Sequence, residues 1–303
     1  MSVCGCLGGR TKFHFVMKKK NFLWLIAFAM LMPLFALTAC SDDDDDDDND
    51  SNGDKTEQTA NDGTKVQSKK VTKIVENRNE PCTWYFDENG TLTSTKVVYG
   101  PNDTSISTFT YSKDKIEVVE VEGKYTESWT YLLENGRVVE WRKDEDGHEY
   151  TGKYAYLDGY LASSSYIYDD GDKSEYKYTI ENGNFTKIEE LRTEEYDEYR
   201  REESTSISYS SKLNNLNVDL TALLLREGGM LGNYFGKRSK NLPSTITEIN
   251  KVTRTYKGET TEDTYSKVKN FEYIYEGDYP VKILEDKVED GEARTYTYEI
   301  FYE

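Results

Sequence analysis

The sequence predicts an all-β protein: an antiparallel up-and-down meander of roughly fifteen strands, forming a curled sheet or a closed barrel, with one short helical insert near 217–229. Three observations carry this reading. From Val71 onward the chain alternates short runs of Tyr, Val, Ile and Thr with Gly, Asn and Asp punctuation. Turn signals recur about every 11–12 residues. Tyrosines, 25 in all, cluster as Tyr-x-Tyr pairs.

The turns fall into two interleaved series. Asn135-Gly136, Asp158-Gly159 and Asn182-Gly183 form one, and Asp146-Gly147 and Asp170-Gly171 form the other, which Glu195-Tyr196-Asp197 extends. Asn-Gly and Asp-Gly supply the positive φ that tight hairpins need. The repeating unit is therefore a two-strand hairpin. Within the strands, the pairs Tyr154/Tyr156, Tyr166/Tyr168, Tyr176/Tyr178, Tyr273/Tyr275 and Tyr296/Tyr298 each place both rings on one face, because side chains alternate with period two. Glu175 and Lys177 take the opposite face of their strand, which argues against a lipid-facing wall there. The tyrosine faces suit a core better than a sugar-binding platform, since Tyr is both a favoured strand residue and a core filler.

Strand punctuation breaks at about 213–243. Asn217, Val218 and Asp219 offer a helix cap, Leu220, Leu223 and Leu224 follow on one stripe, and Gly228-Gly229 ends the helix. Pro243 marks an edge or loop, and strands are expected to resume at Thr245. The words Asn217-Val218-Asp219-Leu220 and Gly236-Lys237-Arg238-Ser239-Lys240-Asn241-Leu242-Pro243 resemble an uncharacterised family of Bacteroidetes-type lipoproteins, a domain of unknown function with a porin-like fold. The resemblance implies a lipid-anchored antiparallel barrel or strongly curled sheet and no known activity. Tyr-rich hairpins are also similar to the tyrosine–aspartate repeats of large secreted toxins.

The N-terminal region reads as an address. Lys18, Lys19 and Lys20 precede an uncharged, mostly apolar run from Phe22 to Ala39, broken by Pro33. That pattern fits a cleaved signal better than a membrane span. The run closes with Leu37-Thr38-Ala39-Cys40, which resembles the lipobox of bacterial lipoproteins. Residues 1–39 are thus assigned as a signal region, with the signal peptide at 17–39 and residues 1–16 a misassigned start. Cys40 is the expected lipidation site, and residues 40–67 form an acidic tether through Asp42–Asp48. Cys40-Ser41 followed by acids resembles the surface-export signal of Bacteroidetes-type lipoproteins, implying an outer-membrane anchor with the domain facing the cell exterior. Residues 68–303 form a single β domain.

Composition bounds the function. There are 57 acidic against 38 basic residues, and five of the basic ones precede Cys40. An acid excess of this size disfavours nucleic acid as a partner. His148 follows a hairpin turn and Cys82 alternates with Trp84 and Phe86, so neither belongs to a nucleophilic or zinc-binding constellation. Acidic clusters lack the spacing of a calcium loop. No catalytic group, metal or cofactor is assigned, and the chain is read as a non-enzyme. Lys237, Arg238 and Lys240, beside Tyr234, form a cationic exception within the acidic domain. They are a possible anion or ligand contact, or salt-bridge partners that pack the insert against acidic strands. The best reading is a non-catalytic binding module for a glycan or other extracellular ligand. The alternative is a structural protein that docks an outer-membrane protein partner.

Overall fold

The computed structural model describes residues 69–303 except 146, 169–170, 195–198, 226–230, 232–233, 257 and 290. The signal, the tether and Cys40 lie outside the described residues, as do Asp146, Asp170 and the Glu195-Tyr196-Asp197 turn.

The domain is a closed antiparallel barrel of sixteen strands paired in chain order. The strands are β1 (Val71–Asn77), β2 (Cys82–Phe86), β3 (Leu92–Gly100), β4 (Asp103–Tyr111), β5 (Lys115–Glu122), β6 (Tyr125–Glu134), β7 (Arg137–Glu145) and β8 (His148–Leu157). They continue as β9 (Tyr160–Ile167), β10 (Lys173–Glu181), β11 (Asn184–Glu194), β12 (Tyr199–Leu213), β13 (Asn241–Tyr256), β14 (Glu259–Glu276), β15 (Tyr279–Glu289) and β16 (Glu292–Tyr302). Of the two architectures open to the sequence, the sheet closes: β1 pairs with β16, with Ile74 opposite Ile300. Reciprocal backbone bonds between Lys70 and Glu303, at 3.2 and 2.9 Å, extend the seam. Closure removes the unpaired edges that a sheet of this size would otherwise expose.

The first turn series behaves as expected. Asn135, Asp158 and Asn182 adopt φ of 51°, 52° and 53°, each followed by a glycine of positive φ, the conformation of tight hairpin turns. Because the connectivity is up and down, all three lie at one end of the barrel. The chain enters and leaves at that same end, and the turn at Gly147 lies at the other.

Helix α1 is described over Leu220–Leu225, and the remainder of the expected span, with its Gly228-Gly229 end, lies outside the described residues. Asp219 Oδ1 caps it, accepting from the Thr221 and Ala222 amides at 3.0 and 3.3 Å. One expectation is corrected. The strand resumes at Asn241 rather than Thr245, with Pro243 inside β13 opposite Tyr209. The register shifts between Ser208 and Tyr209, and such an irregularity tolerates a residue that cannot donate to the ladder.

Alternation separates a polar exterior from a packed interior. Lys96, Glu117, Lys153, Glu175 and Glu299 are exposed outward, each between two inward-facing neighbours. An outer wall charged at mid-strand differs from the apolar band of a barrel that spans a bilayer. The tyrosine pairs face inward. Tyr298 and Tyr154 are buried, and Tyr156, Tyr166, Tyr176, Tyr178, Tyr273 and Tyr275 pack against the core. Cys82 is buried beside Trp84, as expected for a small hydrophobe.

Candidate functional site

Followed from the end that carries the insert, the inward positions change character along each strand. On β6 they run Leu133, Tyr131 and Trp129, then Glu127 and Tyr125. On β11, Ile188 precedes Glu190, Arg192 and Glu194, and on β12 Tyr209, Ile207 and Thr205 precede Glu203 and Arg201. On β15, Ile283 precedes Glu285, Lys287 and Glu289. The interior thus has two levels, an apolar and aromatic base and a charged upper half.

The insert seals the base. Phe235 meets Tyr131 of β6 and Tyr154 of β8 edge-on, with ring centroids 6.1 and 5.0 Å apart, and Tyr234 stacks on Tyr111 of β4 at 5.3 Å. Leu220, Leu223, Leu224 and Leu231 are buried in the same cluster. The insert is bonded around the wall through Asn217 to Val71, Lys237 N–H to the Gly159 carbonyl, Lys240 N–H to the Gly183 carbonyl, and Tyr209 to Ser239. It leaves the wall between β12 and β13 and reaches strands on the opposite side, so it crosses the barrel mouth.

The upper half is lined by ion pairs, some within one strand and some between strands one or two positions apart. Lys143 Nζ donates to Glu127 at 2.8 Å and to Glu145 at 2.9 Å. Arg192 lies 3.4 Å from Asp172 and 3.2 Å from Glu194. Arg78 pairs with Glu76 and, at 2.7 Å, with Glu285, while the Tyr298 hydroxyl donates to Glu285 at 2.6 Å. Each of these is one cation held by two carboxylates. Glu248 reverses the ratio, taking Lys267 and Lys269 together. Arg201 pairs with Glu203 and donates to Asn250 Oδ1 at 2.8 Å.

Burial and pairing compete at these groups. Burial lowers the Lys143 pKa, but its bonds to Glu127 and Glu145 outweigh that and raise it overall. Burial likewise opposes the charge on Arg78, and Tyr298, Glu76 and Glu285 more than offset it. Burial alone would raise Glu248, yet Lys269 and Lys267 hold it below the ordinary carboxylate range. Lys269 itself is lowered, because burial exceeds the help from Glu248.

Exposure rises toward the rim away from the insert. Along β15 it climbs from 0 % at the Glu285 side chain to 14 % at Lys287 and 46 % at Glu289. On β6, Trp129 is 9 % exposed and Tyr125, at the rim, 67 %. Outside the insert, the described inter-strand hydrogen bonds, ion pairs and ring contacts join strands at most two positions apart, so none of them ties one side of the upper lumen to the other. The inward positions of the upper half are thus charged, and their exposure increases toward the rim.

The predicted cationic residues lie on the insert, at the sealed end. Arg238 turns inward, donates to the Val218 carbonyl at 3.2 Å and feels Asp219; burial lowers its pKa against the pull of that acid. Lys237 is exposed with Nζ over the Tyr160 ring at 5.4 Å, and Lys240 is exposed above the Gly183 turn. Tyr234 packs inward on Tyr111. The described contacts of these four residues are with the barrel and the insert, and no contact is common to all four. The lumen charges, by contrast, were not singled out from sequence. Their signal was present as the switch from aromatic to charged at alternate positions, but it acquires meaning only once the inner face is known.

No protein-family model matches the chain, and no curated protein matches it. Among solved structures the chain is similar to the crystal structure of a porin-like protein from Bacteroides uniformis ATCC 8492, at 14 % identity and a TM-score of 0.50. The similarity covers 77 % of this chain and 98 % of that one. At this identity it supports the porin-like fold and nothing finer.

Proposed function

We propose that the protein is a lipid-anchored, non-catalytic binding barrel of the outer membrane, whose charged cup takes an extracellular ligand, a glycan being the foremost class. The observation that carries this reading is the two-level interior. A base sealed by the insert argues against a through-channel, and a charged, tyrosine-bearing upper half open at one rim suits capture. The charged outer wall favours a barrel held at the membrane by a lipid on Cys40 over one inserted through its strands. Since β1 starts at the sealed end, the proposed tether joins the barrel at that end of the sheet.

The experiment is a binding screen of the full-length chain in detergent against neutral, anionic and cationic glycans and against acidic and basic peptides. A paired Arg201→Ala/Glu203→Ala variant reports on the cup, and Lys237→Ala/Lys240→Ala reports on the insert. Ligand binding lost in the first variant and kept in the second is the expected result. Binding lost only in the second would move the site to the sealed end.

A second reading, docking to an outer-membrane protein partner, has one observation in its favour. Ile106 lies opposite Val121 on β4 and β5, with Val119 next to it on the same face, and the three are 42–45 % exposed on the outer wall. Co-purification dependent on that patch would favour this alternative.

A further inference from the structure

We infer that the outer side of the sealed end carries a phosphoryl-binding site built from Arg137, Lys237 and Lys240 around Tyr160. The site lies apart from the lumen and goes beyond the reading of the cup, whose ligand it does not depend on.

Separate elements bring the cations together. Arg137 opens β7, whereas Lys237 and Lys240 belong to the insert, just ahead of β13. The insert is pinned to the wall at this point by its backbone. The Lys237 N–H donates to the Gly159 carbonyl at 2.7 Å, the Lys240 N–H donates to the Gly183 carbonyl at 2.9 Å, and Gly236 forms an antiparallel β-bridge with Tyr160. Two glycines permit the approach. A Cβ on Gly236 would lie 2.5 Å from the Gly159 oxygen, and one on Gly159 would lie 3.0 Å from Lys237 Cε and 3.5 Å from Arg137 Nη2. Lys237 and Arg137 therefore meet over one turn. At the Gly183 turn, a Cβ would lie 3.5 Å from the Tyr160 hydroxyl and 3.6 Å from Lys240 Cβ, so Tyr160 links the two lysines.

These cations are not neutralised at contact distance. Among the described residues none of the three forms an ion pair; Arg137 lies over the Tyr156 ring at 5.6 Å and Lys237 over the Tyr160 ring at 5.4 Å. In the lumen, by contrast, Lys143 and Arg192 are each held by two carboxylates. Glu134 stands opposite Arg137 in register, and Asp158 and Glu181 belong to the neighbouring hairpins, yet none of these acids pairs with the three cations. Lys237 and Lys240 are exposed, and Arg137 and Tyr160 are partly exposed, so a ligand meets the set directly from solvent.

A phosphoryl group fits this arrangement better than a carboxylate. Each cation arrives from a different direction and needs an acceptor. A phosphate ester offers three strong acceptor oxygens arranged tetrahedrally, whereas a carboxylate offers two in one plane. The Arg137 guanidinium is a fork for two oxygens, and the lysines act as mobile point charges. The Tyr160 hydroxyl adds a neutral donor. The phosphoryl group belongs either to a soluble phosphate ester or to a phospholipid headgroup, two sources with the same chemistry.

Phosphorus NMR titration of the full-length chain in non-ionic detergent, at fixed ionic strength, should show saturable binding of inorganic phosphate and methyl phosphate. Arg137→Gln, Lys237→Gln and Lys240→Gln should each weaken it about tenfold, the loss of one charge-assisted hydrogen bond. Lys113→Gln removes an exposed cation from another turn at the same end and should leave binding unchanged. Acetate should compete at least about tenfold less well than phosphate. Unchanged thermal unfolding of the variants separates lost binding from misfolding. Co-sedimentation of the Cys40→Ala chain with phosphatidylcholine vesicles, with and without phosphatidylglycerol, identifies the source. Capture that requires both phosphatidylglycerol and Lys237 assigns the site to a lipid headgroup, and phosphate binding without such capture assigns it to a soluble ester. Absence of phosphate binding, binding that survives the three variants, an equal effect of Lys113→Gln, or acetate that competes as well as phosphate overturns the site.

Discussion

Asn217 and Val71 share two hydrogen bonds at the sealed end: Asn217 Oδ1 accepts from the Val71 amide at 2.8 Å, and Asn217 Nδ2 donates to the Val71 carbonyl at 3.2 Å. One side chain of the insert thus satisfies both backbone groups of the first residue of β1, 146 positions earlier in the chain. The same strand closes the barrel, so insert and seam are joined at one point.

Asn217→Ala should therefore destabilise the barrel by about 1–3 kcal/mol, since it leaves buried backbone groups unmet rather than merely removing a contact. Equilibrium unfolding in denaturant checks this. Asn217→Asp keeps the acceptor and loses the donor, and is expected to fall between the alanine variant and the parent.

Gly90→Ala should be more damaging than a glycine substitution in a free turn. Gly90 has φ of 79°, and a Cβ would lie 1.8 Å from the Asn217 carbonyl oxygen, so both backbone strain and a clash with the insert arise. Gly123, at φ 59° with nothing within 4 Å, supplies the strain alone, about 1–2 kcal/mol. The difference in unfolding midpoint between Gly90→Ala and Gly123→Ala measures how tightly the insert is seated. Equal effects would mean that the insert yields.

Glu248 should make stability pH-dependent on the acid side. Its folded pKa is depressed by Lys269 and Lys267 against the opposing effect of burial, so its contribution is present above the unfolded carboxylate pKa and lost as pH falls through the folded value. Unfolding free energies from pH 7 down to about pH 3 should drop less steeply in Glu248→Gln than in the parent. Parallel curves would show that the lysines do not stabilise the ionised carboxylate.

Cys40→Ala should shift the protein from the membrane fraction to the soluble fraction on cell fractionation, because the exposed barrel wall carries charge and the lipid is the proposed attachment. Retention of the variant in membranes after a high-salt wash would point to insertion or to a protein partner.

Much of this architecture was legible in the linear pattern. Period-two tyrosines, turns such as Asn135-Gly136 and Asn182-Gly183, and the leucine stripe at Leu220–Leu224 are local signals, because a hairpin turn and a strand face are each set within a few residues. The resumption of β13 at Asn241 was missed because Pro243 carries a strong local preference, which the register irregularity beside Tyr209 overrides.

The sequence by itself determined an all-β meander, its turn periodicity, the helix cap at Asp219 and the signal-like start. Only the tertiary structure decided that the sheet closes, that the tyrosine faces point inward, and that Glu127, Lys143 and Glu145 meet in one ion-pair group on the inner side. The reason is physical. Alternation makes two faces equivalent in sequence, and closure, a pairing between strands at opposite ends of the domain, is what makes one of them an interior. An acidic residue on a wet outer strand and one in the lumen look alike until that pairing forms.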